Sequence, residues 1–564
     1  MRRYTDNELE VVINEVENSI NLGEFKDHRE YVMITIYFLW KMQTDSSMKT
    51  LDDLNARGFH NENIKFATYW CDDIYYYFCE EKEEWKKVCK MIGKYSDEIL
   101  AECLLYIPFL NDEVYETIPE GVSILIDDLL DIKEERILEY NSKACDYTIS
   151  SKARHLGCSY AALEDEYTLL TIGSIRSDVL GYKNVTFNCE YDEEVKYDRV
   201  LSNTMIDPTF SEHCGLFDVR DVWEEFPKES TKAWNDCGLA FWLTKENGKT
   251  IALMHGGQLT VKQTETVRKF MCEEGYIESV IMLPDKMYSN TWINPFLVVL
   301  SRENKSVRFI DARNEFVANR VKGKRNNTLS EKNIQNIVKS YRTGENAFEV
   351  NIDDIRQNEY ILNPLRYKKS VRNEVKTVEL GELLVDVKRG MSLSASEMDA
   401  LISDEPSGLP CILPSGIKDG VVTSNLYYHG DVKKSGKNEA NYCSLLLGKT
   451  GTPFRAALTT KNYMIVGNLY ILEMQTNMKI SPEYVCCFLN SNQGQNEIRK
   501  YAVGPTTPII SIANVKKIEI PIFDEKKQAE INERSKEIIE EFNKCYKQIS
   551  ETKQEIDSIF DMEG

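Results

Sequence analysis

Between about residues 116 and 368, short β-branched and aliphatic runs alternate with segments of helical periodicity, and this alternation constrains the fold more than any other feature of the chain. The candidate strands are Arg136-Ile137-Leu138-Glu139, Tyr197-Asp198-Arg199-Val200-Leu201-Ser202, Thr250-Ile251-Ala252-Leu253-Met254, Ile277-Glu278-Ser279-Val280-Ile281-Met282-Leu283, Phe296-Leu297-Val298-Val299-Leu300 and Val307-Arg308-Phe309-Ile310. Strands interleaved with helices predict an α/β, doubly wound sheet. Ligands of such sheets bind beyond the carboxyl ends of the strands, so the residues that follow each strand are where chemistry is expected.

The flanking regions differ in texture. Residues 1–115 have no proline before Pro108 and place Tyr31, Ile34, Tyr37 and Phe38 at helical spacing, which predicts an N-terminal helical domain. The aromatic run from Tyr69 to Phe78 has the composition of a base-stacking platform, but aromatic clusters on helices mostly pack cores, and we assign it to packing. After Arg366-Tyr367-Lys368-Lys369, turn signals such as Lys418-Asp419-Gly420 and many short β-like runs predict a mixed, mostly β module. From Asp524 to Phe560 there is no Gly or Pro, and apolar residues recur at Ile531, Ile538, Ile539, Phe542, Tyr546, Ile549 and Ile556, as in one long amphipathic helix that needs a partner. The expected domains are therefore 1–115, 116–370, 376–523 and a C-terminal helix, 524–564.

Charge narrows the function. The chain of 564 residues carries a net charge of −22, which argues against nonspecific coating of nucleic acid. Residues 376–522, however, hold 15 Lys and Arg against 14 Asp and Glu, whereas residues 1–115 hold 13 against 23, so the mostly β module is spared the acidity. The fifteen cysteines form no CxxC pair and read as reduced thiols, with no metal site expected. The start, MRRYTDNELEVV, turns acidic before any apolar stretch, and no run is long enough to span a membrane, so a cytoplasmic location is expected.

Several segments, in chain order, resemble the modification subunit of type I restriction systems, a class of adenine-N6 DNA methyltransferases. They are Thr117-Ile118-Pro119-Glu120-Gly121-Val122, Tyr197-Asp198-Arg199-Val200-Leu201-Ser202-Asn203, Gly248-Lys249-Thr250-Ile251-Ala252-Leu253-Met254, Val280-Ile281-Met282-Leu283-Pro284, Phe309-Ile310-Asp311-Ala312-Arg313 and Tyr360-Ile361-Leu362-Asn363-Pro364-Leu365-Arg366-Tyr367. The third region resembles the target-recognition domain of type I specificity subunits, through Lys388-Arg389-Gly390, Ile412-Leu413-Pro414-Ser415-Gly416, Leu447-Gly448-Lys449-Thr450-Gly451-Thr452-Pro453, Val466-Gly467-Asn468-Leu469 and Gln528 at the start of the tail helix. Together they look like a methyltransferase and half of a specificity subunit in one chain.

The resemblance implies a site for S-adenosylmethionine and a catalytic loop, and the sequence departs from both. Where the family has a Gly-rich turn after the first strand, this chain has Glu139-Tyr140-Asn141-Ser142-Lys143-Ala144-Cys145, with no glycine between Gly121 and Gly157. Thr117, Pro119, Glu139 and Glu164 are the implied cofactor-binding positions. For the acid that holds the ribose, Glu164 and Asp165 are the nearest residues, and an exposed acid at a helix start is the competing reading. The family's Asn-Pro-Pro-Phe or Tyr is represented by Asn203 alone, followed by Thr204-Met205-Ile206, and Asp207-Pro208-Thr209-Phe210 resembles a displaced loop of the same kind. The implied catalytic residues are thus Asn203, Asp207, Pro208 and Phe210.

For DNA, the resemblance singles out Lys388, Arg389, Lys449 and Arg455, and a second basic strip contains Lys322, Lys324 and Arg325 alongside Arg308, Arg313 and Arg320; a charge run is otherwise a solvated face. The tail helix is expected to pair with itself or with another methyltransferase, specificity or nuclease subunit on double-stranded DNA. The reading favoured by the sequence is a DNA-recognition subunit of a restriction or antiphage defence system on a degenerate methyltransferase scaffold. An active, divergent adenine-N6 methyltransferase using S-adenosylmethionine is the alternative, and a scaffold that reads no sequence is the third. Without activity no cofactor is expected.

Overall fold

The computed structural model describes residues 4–19, 29–50, 75–106, 118–133, 135–151, 156–164, 167–205, 218–288, 293–321, 324–367, 376–431, 436–475, 479–503 and 508–561. The chain divides into two units, Met1–Pro364 and Leu365–Gly564. In the first, eleven strands follow one another: β1 (Arg136–Tyr140), β2 (Ser159–Leu163), β3 (Val185–Asn188), β4 (Tyr197–Asn203), β5 (Thr244–His255), β6 (Ile277–Met282), β7 (Pro295–Leu300), β8 (Ser306–Asp311), β9 (Val317–Val321), β10 (Lys324–Thr328) and β11 (Ala347–Asn351). Nine of them make one sheet in the order β11-β8-β6-β7-β5-β4-β1-β2-β3, while β9 and β10 pair as a separate hairpin. Strands β1 to β5 run parallel, β7 runs antiparallel between β5 and β6, and β11 is antiparallel to β8.

All six strands expected from the sequence are present. β5 begins six residues earlier than expected because Lys245, Glu246 and Asn247 are exposed and hide its apolar pattern. β3 and β11 are short and carry polar residues, so neither stands out as an apolar run. The chain winds outward from β1 to β3 and then returns to add β4 on the other side of β1. This makes β1/β4 the point where strand order reverses and a crevice opens at the carboxyl ends. The return from β3 to β4 takes only the eight residues 189–196, without a helix, where parallel connections usually run through one. On one face the main core joins Ile137, Tyr160, Ala162 and Leu201 to the helices Glu120–Leu130 and Glu331–Thr343. On the other lies the helix Lys232–Trp242, whose Asp236 is 3.5 Å from the Tyr140 hydroxyl.

The N-terminal helices Asp6–Ser19, Arg29–Thr44, Lys82–Lys90 and Asp97–Tyr106 are present as expected. They share a core with Ala144, Leu169, Ile172 and Ile175, so these helices pack on the helix Tyr167–Val179 within the same unit as the sheet. Of the aromatic run, Phe78 is buried in that core, Tyr76 is exposed, and Tyr69 to Ile74 lie outside the described residues.

The second unit is mixed and mostly β. A six-stranded sheet, which includes Leu384–Arg389, Leu469–Met474, Leu445–Gly448 and Ala456–Leu458, lies beside a five-stranded sheet containing Leu409–Ile412 and Tyr463–Ile465. The helix Pro482–Asn490 packs between the larger sheet and the 37-residue helix Glu525–Asp561. Among the described residues no helix is long and apolar enough to cross a membrane.

Arg176, fully buried on the helix Tyr167–Val179, joins three parts of the first unit. It pairs with Asp146 at 2.7 Å and donates to the carbonyls of Ala144 and of Leu105 on an N-terminal helix. Removing one member of a buried pair strands the other charge, at a cost of about 3–5 kcal/mol, whereas replacing both by apolar groups is often close to neutral. Arg176→Met should therefore lower unfolding stability by about 3–5 kcal/mol, and Arg176→Met with Asp146→Leu should recover most of it, measured by urea unfolding of the full chain.

Candidate functional site

The carboxyl ends of β2, β1 and β4 are neighbours, and their register places Tyr140 opposite both Leu163 and Ser202. One residue further, Glu164, Asn141 and Asn203 stand level at the mouth of the crevice. Three of the sequence-predicted residues, Glu139, Glu164 and Asn203, are thus brought to adjacent strand ends. Pro119 caps the start of the helix Glu120–Leu130, and the backbone of neighbouring Ile118 bonds to Asp146 just after the β1 turn. Thr117, Asp207, Pro208 and Phe210 lie outside the described residues.

After β1 the backbone turns through left-handed conformations at Asn141, Lys143 and Cys145, with φ of 53°, 50° and 59°. Each costs an L-residue roughly 1–2 kcal/mol, Asn being the most tolerant. The turn therefore keeps a path suited to glycine without having any. Packing and hydrogen bonds hold it there. Gly173 lets the helix Tyr167–Val179 approach so closely that a Cβ would sit 2.5 Å from Cys145 Sγ. Glu139, fully buried, accepts from the Tyr147 and Thr148 amides at 2.9 and 3.0 Å and from the Thr148 hydroxyl at 2.6 Å. Its carboxylate anchors the segment after the turn and faces the core, away from the cofactor-binding role the resemblance implies. Burial pushes the Glu139 carboxyl up to about 7, outweighing the donors around it.

Glu164 directly follows β2 and is 2% exposed. It accepts the Lys143 amide at 2.8 Å, with the Lys143 ammonium 3.9 Å away. The Ser142 amide donates to Leu163 O and the Cys145 amide to Ser142 O. On the other side the Asn141 side chain donates to Asp236 at 2.8 Å, and Lys232 lies 3.5 Å from the same carboxylate. Nothing in the sequence marks Asp236, a mid-helix acid some thirty residues beyond Asn203; only its burial at 3% exposure and its partners reveal it.

S-adenosylmethionine, as the resemblance implies it, needs the amides of this turn and the acid after β2. Here three of those amides, Ser142, Lys143 and Cys145, have acceptors within the chain, and the acid is bound to one of them. As placed, the Ser142, Lys143 and Cys145 amides donate within the chain rather than toward a ligand.

Asn203 ends β4 at 5% exposure, and among the described residues its amide has no hydrogen-bond partner. Thr204 then bonds back into the sheet, its amide and hydroxyl both donating to Leu253 O at 3.0 and 2.9 Å, and Met205 is buried in the main core. At Thr204 and Met205 the chain thus turns into the sheet and core where the family's two prolines would stand.

In the second unit, Arg389, Lys449 and Arg455 gather at one end of the larger sheet. Arg389 pairs with Tyr470, the Lys449 amide donates to Asn468 O at 2.9 Å, and Arg455 O accepts from Gly448 at 2.8 Å. Arg389 and Arg455 are exposed, while the Lys388 ammonium is bound by Glu473. In the first unit Lys324 and Arg325 lie on β10, opposite Val321 and Arg320, and Lys322 is outside the described residues. Arg313 is paired with Asp311 at 2.8 Å and Arg308 with Glu349, so these two are not open cations.

Residues 171–376 match the family described as N-6 DNA Methylase. Asn203 lies inside that stretch; the turn 141–145 and Glu164 precede it. The chain is 27% identical over 177 residues to the type I restriction enzyme MjaVIII methylase subunit of Methanocaldococcus jannaschii, covering 29% of each protein. It is 35% identical over 113 residues to the MpnII methylase subunit of Mycoplasma pneumoniae, covering 19% of this chain and 20% of that one. The chain spans under a third of the length of these curated relatives. Among solved structures, a type I restriction-modification methyltransferase subunit from Streptococcus thermophilus aligns with a TM-score of 0.48 at 16% identity, over 65% of this chain and 100% of that one. The type IIG restriction endonuclease BpuSI aligns at 0.46 and 12%, over 95% and 75%.

The Glu139 carboxyl binds its proton more tightly in the folded chain than in the unfolded one, where carboxyls titrate near 4.5. Its contribution to stability is therefore fully present below about 4.5 and is lost as pH rises to about 7, by about 3 kcal/mol at most. Glu139→Gln should flatten that part of the stability-against-pH curve measured by urea unfolding; an unchanged slope would place the titration elsewhere.

Proposed function

We propose that this chain is a DNA-binding recognition and modification-type subunit of a restriction or antiphage defence system, in which an adenine-N6 methyltransferase scaffold serves as a DNA clamp or assembly platform without transferring methyl groups itself. The observation that carries the second half of this reading is the buried bond between the Glu164 carboxylate and the Lys143 amide, which uses up that amide and engages one oxygen of the acid a cofactor would need. The match of residues 171–376 to the N-6 DNA Methylase family supports the first half. Double-stranded DNA is the partner, contacted by Arg389, Lys449 and Arg455 in the second unit and by the β9/β10 hairpin in the first. Methyl transfer or cleavage, where the system performs it, belongs to another subunit.

One observation favours the alternative of an active methyltransferase. Asn203 ends β4 at 5% exposure, its side chain has no hydrogen-bond partner among the described residues, and an amide there supports the reading of a hydrogen-bonding group for an exocyclic amine. Equilibrium binding of labelled S-adenosylmethionine separates the two readings. No saturable binding at millimolar cofactor is expected for the purified chain, with or without duplex DNA, and micromolar binding would establish the alternative. In the same assays DNA affinity should fall with salt. Arg389→Ala, Lys449→Ala and Arg455→Ala combined should lower both the affinity and the salt slope, the slope by about 1 for each phosphate that is no longer neutralised.

The long C-terminal helix supplies the assembly surface. Phe542, Ile549 and Ile556 are exposed at a spacing of seven, with Ile559 on the same stripe. A heptad stripe of this kind is buried by a second helix, which we assign to another copy of this chain or to a related subunit. Phe542→Glu with Ile549→Glu should lower the mass of the assembly in light scattering while leaving the circular dichroism spectrum unchanged. If the parent chain and the variant have the same mass across the concentration range, the partner is not a second copy.

A further inference from the structure

The crevice at the β1/β4 switch point is crossed by a side-chain contact that the family resemblance does not supply. Asn141 is the first residue after β1, and Asp236 belongs to the helix that connects β4 to β5. A bond between them therefore spans the two strands that flank the crevice, above Ser202, whose fully buried hydroxyl has no partner among the described residues. The bond is 2.8 Å long, Asp236 is 3% exposed, and the Tyr140 hydroxyl and Lys232 ammonium each lie 3.5 Å from the same carboxylate. Asn141 donates its amide to Asp236 from a left-handed backbone, at φ 53°. A residue that strongly avoids that conformation would swing the side chain away, and glycine would keep the path and leave the crevice uncovered.

We infer that Asn141 and Asp236 form a clasp that closes the switch-point crevice, and that breaking it opens the crevice to an adenosyl ligand. The clasp rests on the reading above that the turn after β1 is closed to the cofactor. It acts from the β4 side, whereas the Glu164–Lys143 bond closes the turn from the β2 side. The clasp also ties the turn to the helix Lys232–Trp242. Asn141 and Asp236 are positioning residues; neither is assigned a role in bond making.

The test uses the full chain, Asn141→Gly and Asp236→Ala, with S-adenosylmethionine and S-adenosylhomocysteine as the probes in equilibrium dialysis. Amide hydrogen exchange over residues 140–145 serves as a readout that does not depend on activity. Asn141→Gly removes the clasp while relieving backbone strain, so it stays folded even where Asp236→Ala, which leaves Lys232 without this carboxylate, does not. At least tenfold tighter binding of either probe by Asn141→Gly than by the parent, with faster exchange at 140–145 in the folded variants, is the expected result. Variants that fold, exchange as the parent does and bind no better would overturn the clasp. The parent arm reports separately on the closed-turn reading: micromolar binding by the parent overturns that reading, and the clasp then stands only if Asn141→Gly is still at least tenfold tighter.

Discussion

The first unit is organised around one buried charge pair. Arg176 and Asp146 lie at 0% and 2% side-chain exposure, where an unpaired ion is strongly penalised, so each fixes where the other can be. Asp146 begins the short helix after the β1 turn, and Arg176 sits on the helix that follows β2. Through the carbonyls of Ala144 and Leu105, the same guanidinium reaches the turn itself and the last N-terminal helix. The N-terminal helices, the turn and the outer sheet edge are therefore not independent pieces. A shift of any one unmakes a hydrogen bond to a group that has no water to replace it.

That constraint accounts for how a turn without glycine keeps a glycine-like path. Three left-handed L-residues within five positions carry a local cost of several kcal/mol, by roughly 1–2 kcal/mol each. Such conformations persist only where the surroundings over-determine them. Here the Arg176 bond to Ala144 O, the anchoring of the following helix on Glu139 and the contact of Cys145 with Gly173 do so from behind, and Glu164 and Asp236 do so from the crevice side. The side that in a cofactor-binding turn faces a ligand is here satisfied by the chain.

Much of this is legible in the sequence, and the part that is not has physical reasons. The six central strands declare themselves through short β-branched and aliphatic runs, unbroken from Phe296 to Leu300 and interrupted by charges elsewhere, and the tail helix through its lack of Gly and Pro. Asn203 is placed by its strand, and Glu164 is identifiable to within one position. The geometry of the turn is not legible, because absence of glycine says what a backbone prefers and not what packing imposes on it. Asp236 is invisible because a buried acid in a helix is written in the same letters as an exposed one. Arg176 is hidden similarly: its partner Asp146 is thirty residues away, and only the fold brings them together. For the DNA contacts, sequence identifies the cations but not their engagement, and Lys388 proves to be tied to Glu473 while Arg389 beside it is exposed.

The distance between a closed and an open site is a matter of two hydrogen bonds, each with a carboxylate acceptor. Bonds of this kind contribute roughly 1.5–3 kcal/mol apiece. Breaking both Glu164–Lys143 and Asn141–Asp236 to admit a ligand therefore costs about 3–6 kcal/mol, which weakens apparent affinity by roughly two to four orders of magnitude. A site of intrinsically micromolar affinity would then bind at roughly 0.1 to 10 mM. The same arithmetic limits what could reopen it. A partner or DNA duplex would have to favour the open arrangement by a comparable few kcal/mol, within the range of known couplings between sites only at its lower end. The doubly wound sheet and the proposed closure of its crevice are thus compatible in one chain. The fold needs the turn held in its left-handed path, and two of the bonds that hold it are ones a cofactor would have to replace.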